Sequence, residues 1–312
     1  MAGITDAPFR AVAWTAGAGY VASEMLTSQD QLWETRKSRL RRQWVPGIEP
    51  RVVQLAGSDP AQVAEAARRH WEDGAQIIDL NFGCPAKKVC RRAAGSQLLR
   101  EPGLVAEIAA AAAAAVPAPV TVKMRTGWSP EMTNGVEVAQ RLEQAGVAAI
   151  TVHGRTRACF FTGAAEYDTI ARIKASVRIP DFANGDNDSP AKARRVLAQT
   201  GADGVMIGRA ALGAPWLLGA IADPERPDPD LEERWQIVLD HVAALHAFYG
   251  EPGARIARKH VQWYLERMPA LVEGAAEATA RAAQFNRVDD PTEQLDLLAD
   301  LRERWLVLPR AA

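Results

Sequence analysis

Seven short, β-rich apolar runs alternate with longer segments of helical periodicity, and this alternation narrows the possible folds more than any other feature of the chain. The runs are Tyr20–Glu24, Arg51–Leu55, Ile77–Asn81, Val120–Lys123, Ala149–His153, Ile179–Asn184 and Gly204–Ile207. Between them lie "DPAQVAEAARRHWEDG", "PGLVAEIAAAAAAAV", "NGVEVAQRLEQAG" and "SPAKARRVLAQTG", several ending in glycine as helices commonly do. The alanine run from Ala109 to Ala115 reads as a good helix former packed against a sheet. Repeated β-then-α units demand parallel strands joined by right-handed crossovers.

Six of the seven runs carry a polar or chemically able residue at their end or one position before it: Glu24, Gln54, Asn81, Lys123, His153 and Asn184. The last run is followed at once by Gly208-Arg209. Each buried polar group costs free energy unless it is satisfied, so packing alone does not account for six at one end of successive strands. In a (β/α)8 barrel all strand C-termini converge on one face, where active sites are built. The expected fold is therefore a (β/α)8 TIM barrel. The opening "MAGITDAPFR" already reads as a loop and helix start, so the first strand is expected to be truncated. Beyond Leu218 the pattern changes. "DPERPDPDLEE" reads as a linker, and only helical periodicities follow. The expected division is a barrel over 1–222, a linker over 223–231 and an all-helical domain over 232–312.

The chain has 312 residues, 48% of them hydrophobic and 24% charged, an ordinary composition for a soluble globular protein. There is no apolar run long enough for a bilayer and no signal-peptide pattern. Its three cysteines, Cys84, Cys90 and Cys159, form neither a disulfide framework nor a C-x-x-C pair, so a cytoplasmic setting and no metal are expected. A net charge of −1 means that any nucleic-acid binding must come from local basic patches.

Four features carry candidate chemistry. "ANGD" (Ala183–Asp186) and "GADGVMIGRAAL" (Gly201–Leu212) place glycines at strand ends before helices, where backbone N–H groups and Arg209 could meet a phosphate. The alternative is two ordinary glycine turns. Lys123 lies within the apolar run "VTVKMRTG", where an electron-rich ligand such as a flavin N1–C2=O locus would answer the cost of burying a cation. His153, in "ITVHGRT", is placed at a strand end in the same way. In "IIDLNFGCPAKKVC", Asp79 and Asn81 interrupt an interior strand, and Cys84 follows between Gly83 and Pro85. That thiol is either an inert buried group or a general acid.

Basic clusters recur: Arg36–Arg42, then Lys87, Lys88, Arg91 and Arg92, then Arg155–Arg157, then Arg255–His260 beside Trp263 and Tyr264. Any one could be a solvated face. Together they suit a polyanion spanning both domains, with aromatics able to stack on bases.

"MAGITDAPFR", "QLAGSDP", "DLNFGCPAKKVCRRAAGSQLL", "VTVKMRTGW", "TVHGRTR", "ANGD" and "GADGVMIGRAALGAPW", in this order, resemble the tRNA-dihydrouridine synthases. The C-terminal "RIARKHVQWYL" is similar to the bacterial B type in particular. The resemblance implies reduction of the C5=C6 bond of a D-loop uridine in tRNA, at position 17 for the B type, by FMN recharged with NADPH. It implies that Met1, Ala2, Gln54, Lys123, His153, Asn184, Gly185, Asp186, Gly208 and Arg209 hold FMN. Asn81 and Arg125 would join Lys123 and His153 around the uracil, Cys84 would give the proton, and Lys87, Lys88, Arg155, Arg258 and Lys259 would meet the tRNA. Hydride would add to C6, charge would develop towards O4, and a thiol on the opposite face would protonate C5.

Three departures stand out. Only Met1-Ala2-Gly3 remain of the family's A-P-M-A-G, Asp181 sits where an apolar residue is expected, and Cys90 replaces a usually polar one. Two other functions compete: an FMN-dependent barrel acting on a free pyrimidine, and a catalytically impaired tRNA-binding homologue.

Overall fold

The computed structural model describes residues 1–90, 94–268 and 275–307; the side chains of Lys88, Ala275, Ala276 and Thr279 are outside the description. Arg91 and Arg92 also lie outside the described residues. The chain falls into two compact units. One comprises Met1–Asp6 and Tyr20–Gly208, the other Ala7–Gly19 and Arg209–Ala312.

The first unit is a seven-stranded parallel sheet in the order β1 to β7, with helices between strands, the arrangement of a (β/α)8 barrel. The strands are β1 Leu26–Thr27, β2 Val52–Ala56, β3 Ile77–Phe82, β4 Val120–Arg125, β5 Ala149–His153, β6 Asp181–Asn184 and β7 Gly204–Met206. Among the described residues no pairing joins β7 to β1. The helices of the whole chain are α1 Ala7–Thr15, α2 Arg36–Arg41, α3 Pro60–Glu72, α4 Lys87–Cys90, α5 Pro102–Ala115, α6 Gly135–Gln144, α7 Asp168–Ser176, α8 Pro190–Thr200, α9 Leu217–Ala222, α10 Leu231–Tyr249, α11 Gly253–Arg267, α12 Ala275–Phe285 and α13 Pro291–Leu306. No helix of the described residues is long and apolar enough to cross a membrane.

Local chemistry explains the expected helices. Asp59 caps α3 by accepting from Gln62 N at 2.9 Å, and Pro60 opens it. Ser189 and Pro190 do the same for α8, which ends at Gly201 in the left-handed conformation. The alanine-rich α5 buries Val105, Ile108, Ala109 and Ala112 and packs on α3, whose own buried face includes Ala66 and Ala67. Small side chains on both helices permit that close approach.

One expected strand is different. Tyr20–Glu24 contributes only a bridge from Ala22 to Val52, and the ladder resumes at Leu26–Thr27. Ser23 intervenes: its hydroxyl accepts from Gln54 N at 3.0 Å and donates to Glu24 O at 2.8 Å, replacing ladder bonds. Glu24 therefore stands outside the sheet, where its carboxylate accepts from Gly3 N and pairs with Arg41 at 3.2 Å.

The expected domain boundary also moves. Arg209–Ala222 and α1 belong with the helical unit rather than the barrel, and so does the linker segment. Within that unit Phe9 of α1 packs near His241 and His260, and Gly213 sits so close to Trp263 O that a Cβ would lie 2.1 Å from it. A core of Trp235, Trp305, Leu245, Val261 and Phe285 holds α10 to α13 together.

Strand alternation sorts the barrel side chains. Ile78, Leu80, Phe82, Val122, Met124, Ile150, Val152 and Ala183 join the helix-side core. Asp181 shares that helix-facing parity. It is fully buried, its carboxylate has no hydrogen-bond partner, and Lys174 Nζ lies 3.5 Å away. Burial lifts its pKa to about 6. The folded protein thus holds this proton more tightly than the unfolded chain does, and the associated stability is lost as pH rises from the ordinary carboxylate range through about 6. Asp181→Asn is expected to raise Tm by roughly 2–6 °C at pH 8 and by much less at pH 4. Equal shifts in the two melting curves would contradict the assignment.

Candidate functional site

The opposite parity lines the inner face of the sheet with polar groups: Gln54 from β2, Asp79 and Asn81 from β3, Thr121 and Lys123 from β4, Thr151 and His153 from β5, Asn184 from β6. Register aligns them. Gln54 pairs with Asp79, Asn81 with Lys123, Lys123 with Thr151, and His153 with Asn184. Gln54 and Lys123 are thus interior to their strands rather than at the ends, but the parity they share with Asn81, His153 and Asn184 gathers all five on one surface.

These groups form an ordered network. Thr121 Oγ1 donates to Asp79 Oδ1 at 2.8 Å, and Gln54 Nε2 donates to Asp79 Oδ2 at 2.7 Å. Asn81 Nδ2 donates to Gln54 Oε1 at 2.8 Å. Asn81 Oδ1 then accepts from Cys84 N at 2.9 Å and Gly83 N at 3.2 Å. Separately, Lys123 Nζ donates to Asn184 Oδ1 at 2.9 Å, while Asn184 Nδ2 donates to Met206 O at 2.8 Å. Burial, reinforced by Arg125, lowers the Lys123 pKa to about 8, so the amine remains mainly protonated at neutral pH. Burial raises Asp79 to about 6 against the opposing pull of Gln54, Thr121 and Lys123.

The Cys84 loop is fixed at its backbone. Cys84 O accepts from Ser96 Oγ at 2.8 Å and from Ser96 N at 3.1 Å, and Cys90 Sγ lies 3.7 Å from it. Cys90 thereby supports this loop. Gly95 has φ +64°, and a Cβ there would stand 2.8 Å from Cys84 O. Burial pushes the Cys84 thiol above its ordinary pKa, keeping it protonated.

The His153 corner is equally constrained. Arg155, expected to face nucleic acid, is instead buried. It donates to both carboxylate oxygens of Asp186, at 2.9 and 2.6 Å, and its Nη1 lies 3.3 Å from His153 Nε2. Asp186 also accepts from Ala165 N at 2.8 Å, and Tyr167 Oη donates to Gly185 O at 2.7 Å. Gly185 has φ +127°, and a Cβ there would meet Ala165 Cβ at 2.8 Å. Arg125 is buried too. Its Nε donates to Gly83 O at 2.9 Å, and its Nη1 donates to Thr156 O and Phe160 O, both at 2.8 Å. It ties the Cys84 loop to the loop after β5.

The other expected residues lie elsewhere. Met1 O accepts from Ile4 N and Thr5 N in a tight turn, with Ala2 exposed. Gly208 leaves open space, since a Cβ would find only Met1 Sδ, at 4.0 Å. Arg209 is exposed in a one-turn 3-10 helix, and Lys87 is exposed on α4; the Lys88 side chain is outside the described residues. In the helical unit Arg258 donates to Asp289 at 2.6 Å, and Lys259 is half-buried on the same helix. Tyr264 is unavailable for stacking on a base. It is buried, with its hydroxyl 3.0 Å from His241 Nδ1.

Asp79, Thr121 and Ser96 carry no expectation as site residues, yet they order the network. The signal for the first two was present in the sequence: each lies two residues before a candidate, Asn81 or Lys123, and shares its face. Among the described residues no group of His, Cys, Asp and Glu could hold a metal ion.

A parallel β/α barrel with polar amides, a lysine and a histidine on its inner face, beside a fixed cysteine loop, has the make-up of a barrel enzyme. Residues 1–304 match the family model described as Dihydrouridine synthase. The chain belongs to that family, whose enzymes are flavin-dependent oxidoreductases. It is 57% identical over 300 residues to "tRNA-dihydrouridine synthase B" of Pseudomonas aeruginosa, covering 94% of this chain and 88% of the relative. The proteins of that name from Escherichia coli (strain K12) and Proteus vulgaris are 51% and 50% identical. The matches cover 96% and 98% of this chain, and 92% and 94% of those relatives.

Gly95→Ala tests the geometry of the cysteine loop. It is expected to cost about 1–3 kcal/mol and to lower Tm, because both the φ value and the carbonyl contact oppose a side chain. Gly103→Ala, where a Cβ meets nothing within 4 Å, is the control. Equal melting temperatures for the two variants would show that the loop tolerates displacement.

Proposed function

We propose that this chain reduces a uridine of tRNA to dihydrouridine, with FMN on the inner face of the barrel, NADPH as reductant and Cys84 as the proton donor. The observation that carries this reading is the pairing of a cationic lysine with the Cys84 loop on one polar surface, in a chain half or more identical to proteins named for that reaction.

The residues fit a flavin. Lys123 is a half-buried ammonium with three protons, one of which Asn184 Oδ1 accepts, so an electron-rich carbonyl or ring nitrogen suits the others. Gln54 and His153 share that face, and the clamped Asn184-Gly185-Asp186 turn supports it. Gly208 offers an unobstructed backbone to a phosphate, with Arg209 next in sequence as the cation. Met1 and Ala2 would contribute backbone contacts.

Bound FMN, recharged by NADPH, would supply the hydride that C6 of the uracil receives. This chain's own groups do the rest. Asn81, Lys123 and His153 orient the uracil and stabilise charge developing on its carbonyls, with Arg125 beside the Cys84 loop. Cys84 Sγ gives its proton to C5, the new C5–H bond forms as S–H breaks, and solvent restores the proton. A thiol kept protonated by burial is suited to that step. Lys87 and Lys88 would meet phosphates near the extruded base, and Arg258 and Lys259 on the helical unit would meet the tRNA elsewhere.

Cys84→Ala is expected to keep its flavin absorbance and melting temperature while losing about 100-fold or more in dihydrouridine formation on unmodified tRNA. Dihydrouridine mapping by mass spectrometry measures it. Undiminished turnover in that variant would overturn the proposal.

A further inference from the structure

We infer that Asp79 is a positioning residue: its carboxylate sets which way the Gln54 and Asn81 amides point and so aims Asn81 Oδ1 at the backbone N–H groups of Gly83 and Cys84. The inference rests on the proposed function for the meaning of Cys84, and on geometry for everything else.

The network from Asp79 to Cys84 has two ends of fixed character. At one end an ionised carboxylate can only accept; at the other, two backbone N–H groups can only donate. Two primary amides lie between, each carrying a donor and an acceptor. Only one orientation of the pair satisfies every contact. Gln54 Nε2 must face Asp79, which turns Gln54 Oε1 towards Asn81 Nδ2, which turns Asn81 Oδ1 towards Cys84 N and Gly83 N. Reversing Gln54 would set its Nε2 against Asn81 Nδ2, donor against donor. Reversing Asn81 as well would move that conflict to the two N–H groups. The carboxylate and the two N–H groups thus set the polarity of all four bonds from opposite ends, and Asp79 is the end that a side-chain substitution can remove.

Asp79 is itself held. It is buried, Thr121 Oγ1 anchors its other oxygen, and the partner strand is fixed through the bond from Gln54 N to Ser23 Oγ. A buried carboxylate is expensive for a fold to keep, and helix-side packing does not require this one, because it faces inward. Its pKa near 6 leaves it mainly ionised at neutral pH, the form that accepts at both oxygens.

The test uses the FMN-loaded enzyme carrying Asp79→Asn or Asp79→Leu, each alone and combined with Asn81→Ala. Asparagine keeps one carbonyl oxygen for Gln54, and the Thr121 hydroxyl can accept from its amide, so the order persists. Leucine removes both acceptors. Single-turnover reduction of tRNA uridine by pre-reduced enzyme should fall about 10- to 100-fold for Asp79→Leu and stay within roughly threefold for Asp79→Asn. On the Asn81→Ala background, Asp79→Leu should change the rate by less than about threefold further, because the link it acts through is already gone. Additive losses would overturn the inference and leave a merely structural carboxylate.

A second readout needs no turnover. Iodoacetamide labelling of Cys84, followed by peptide mass spectrometry, should quicken about threefold or more in Asp79→Leu and stay unchanged in Asp79→Asn. Should Asp79→Leu fail to fold, Gln54→Met cuts the same network one bond further along and must quicken labelling equally. Unchanged labelling in both would contradict the inference. Absence of dihydrouridine with the unsubstituted enzyme would instead refute the proposed function, and the labelling result would still decide the role of Asp79.

Discussion

The hydrogen bond from Lys123 Nζ to Asn184 Oδ1 is the contact on which the site depends. It crosses from β4 to β6 over the intervening β5, where register places Thr151 opposite Lys123. Without a partner, an ammonium buried on the inner face would be costly. With Asn184 as its partner and Asp79 as a nearby opposite charge, it remains a cation at neutral pH and keeps protons available to a ligand.

The two halves of the inner face do different work. Towards β2 and β3, the network from Asp79 through Gln54 and Asn81 ends on the backbone of the cysteine loop. Towards β5 and β6, Arg155 and Tyr167 clamp the Asn184-Gly185-Asp186 turn beside His153. Neither half relies on solvent-exposed pairs, which contribute little. The rigidity comes from backbone carbonyls and N–H groups held by buried side chains. In the proposed reaction, the second half would meet the flavin ring and the first would present the thiol loop to the uracil.

Much of this could be read from the residues. The alternation of strand and helix segments and the helix-ending glycines located the sheet and the helices around it. Gln54, Asn81, Lys123, His153 and Asn184 read as strand ends, whereas register and shared parity are what gather them on one face. Tyr20–Glu24 was not legible as a broken strand, because the hydroxyl of Ser23 replaces the ladder bonds there and has no periodic signature. Arg125 and Arg155 look like any other cation in sequence, and only the folded chain reveals that carbonyls and Asp186 enclose them. Tyr264 beside a basic run resembled a stacking residue, yet helix phase turns it into the core of the helical unit. The division of the chain escaped the sequence because α1 packs with segments some two hundred residues later.

The most direct measurement of the central claim is FMN affinity by fluorescence quenching in the unsubstituted protein and in Lys123→Met. Methionine keeps the aliphatic bulk and removes the cation. Affinity is expected to fall about 10- to 100-fold, the range for hydrogen bonds to charged groups, while Tm does not drop. Equal affinity in the two proteins would contradict it.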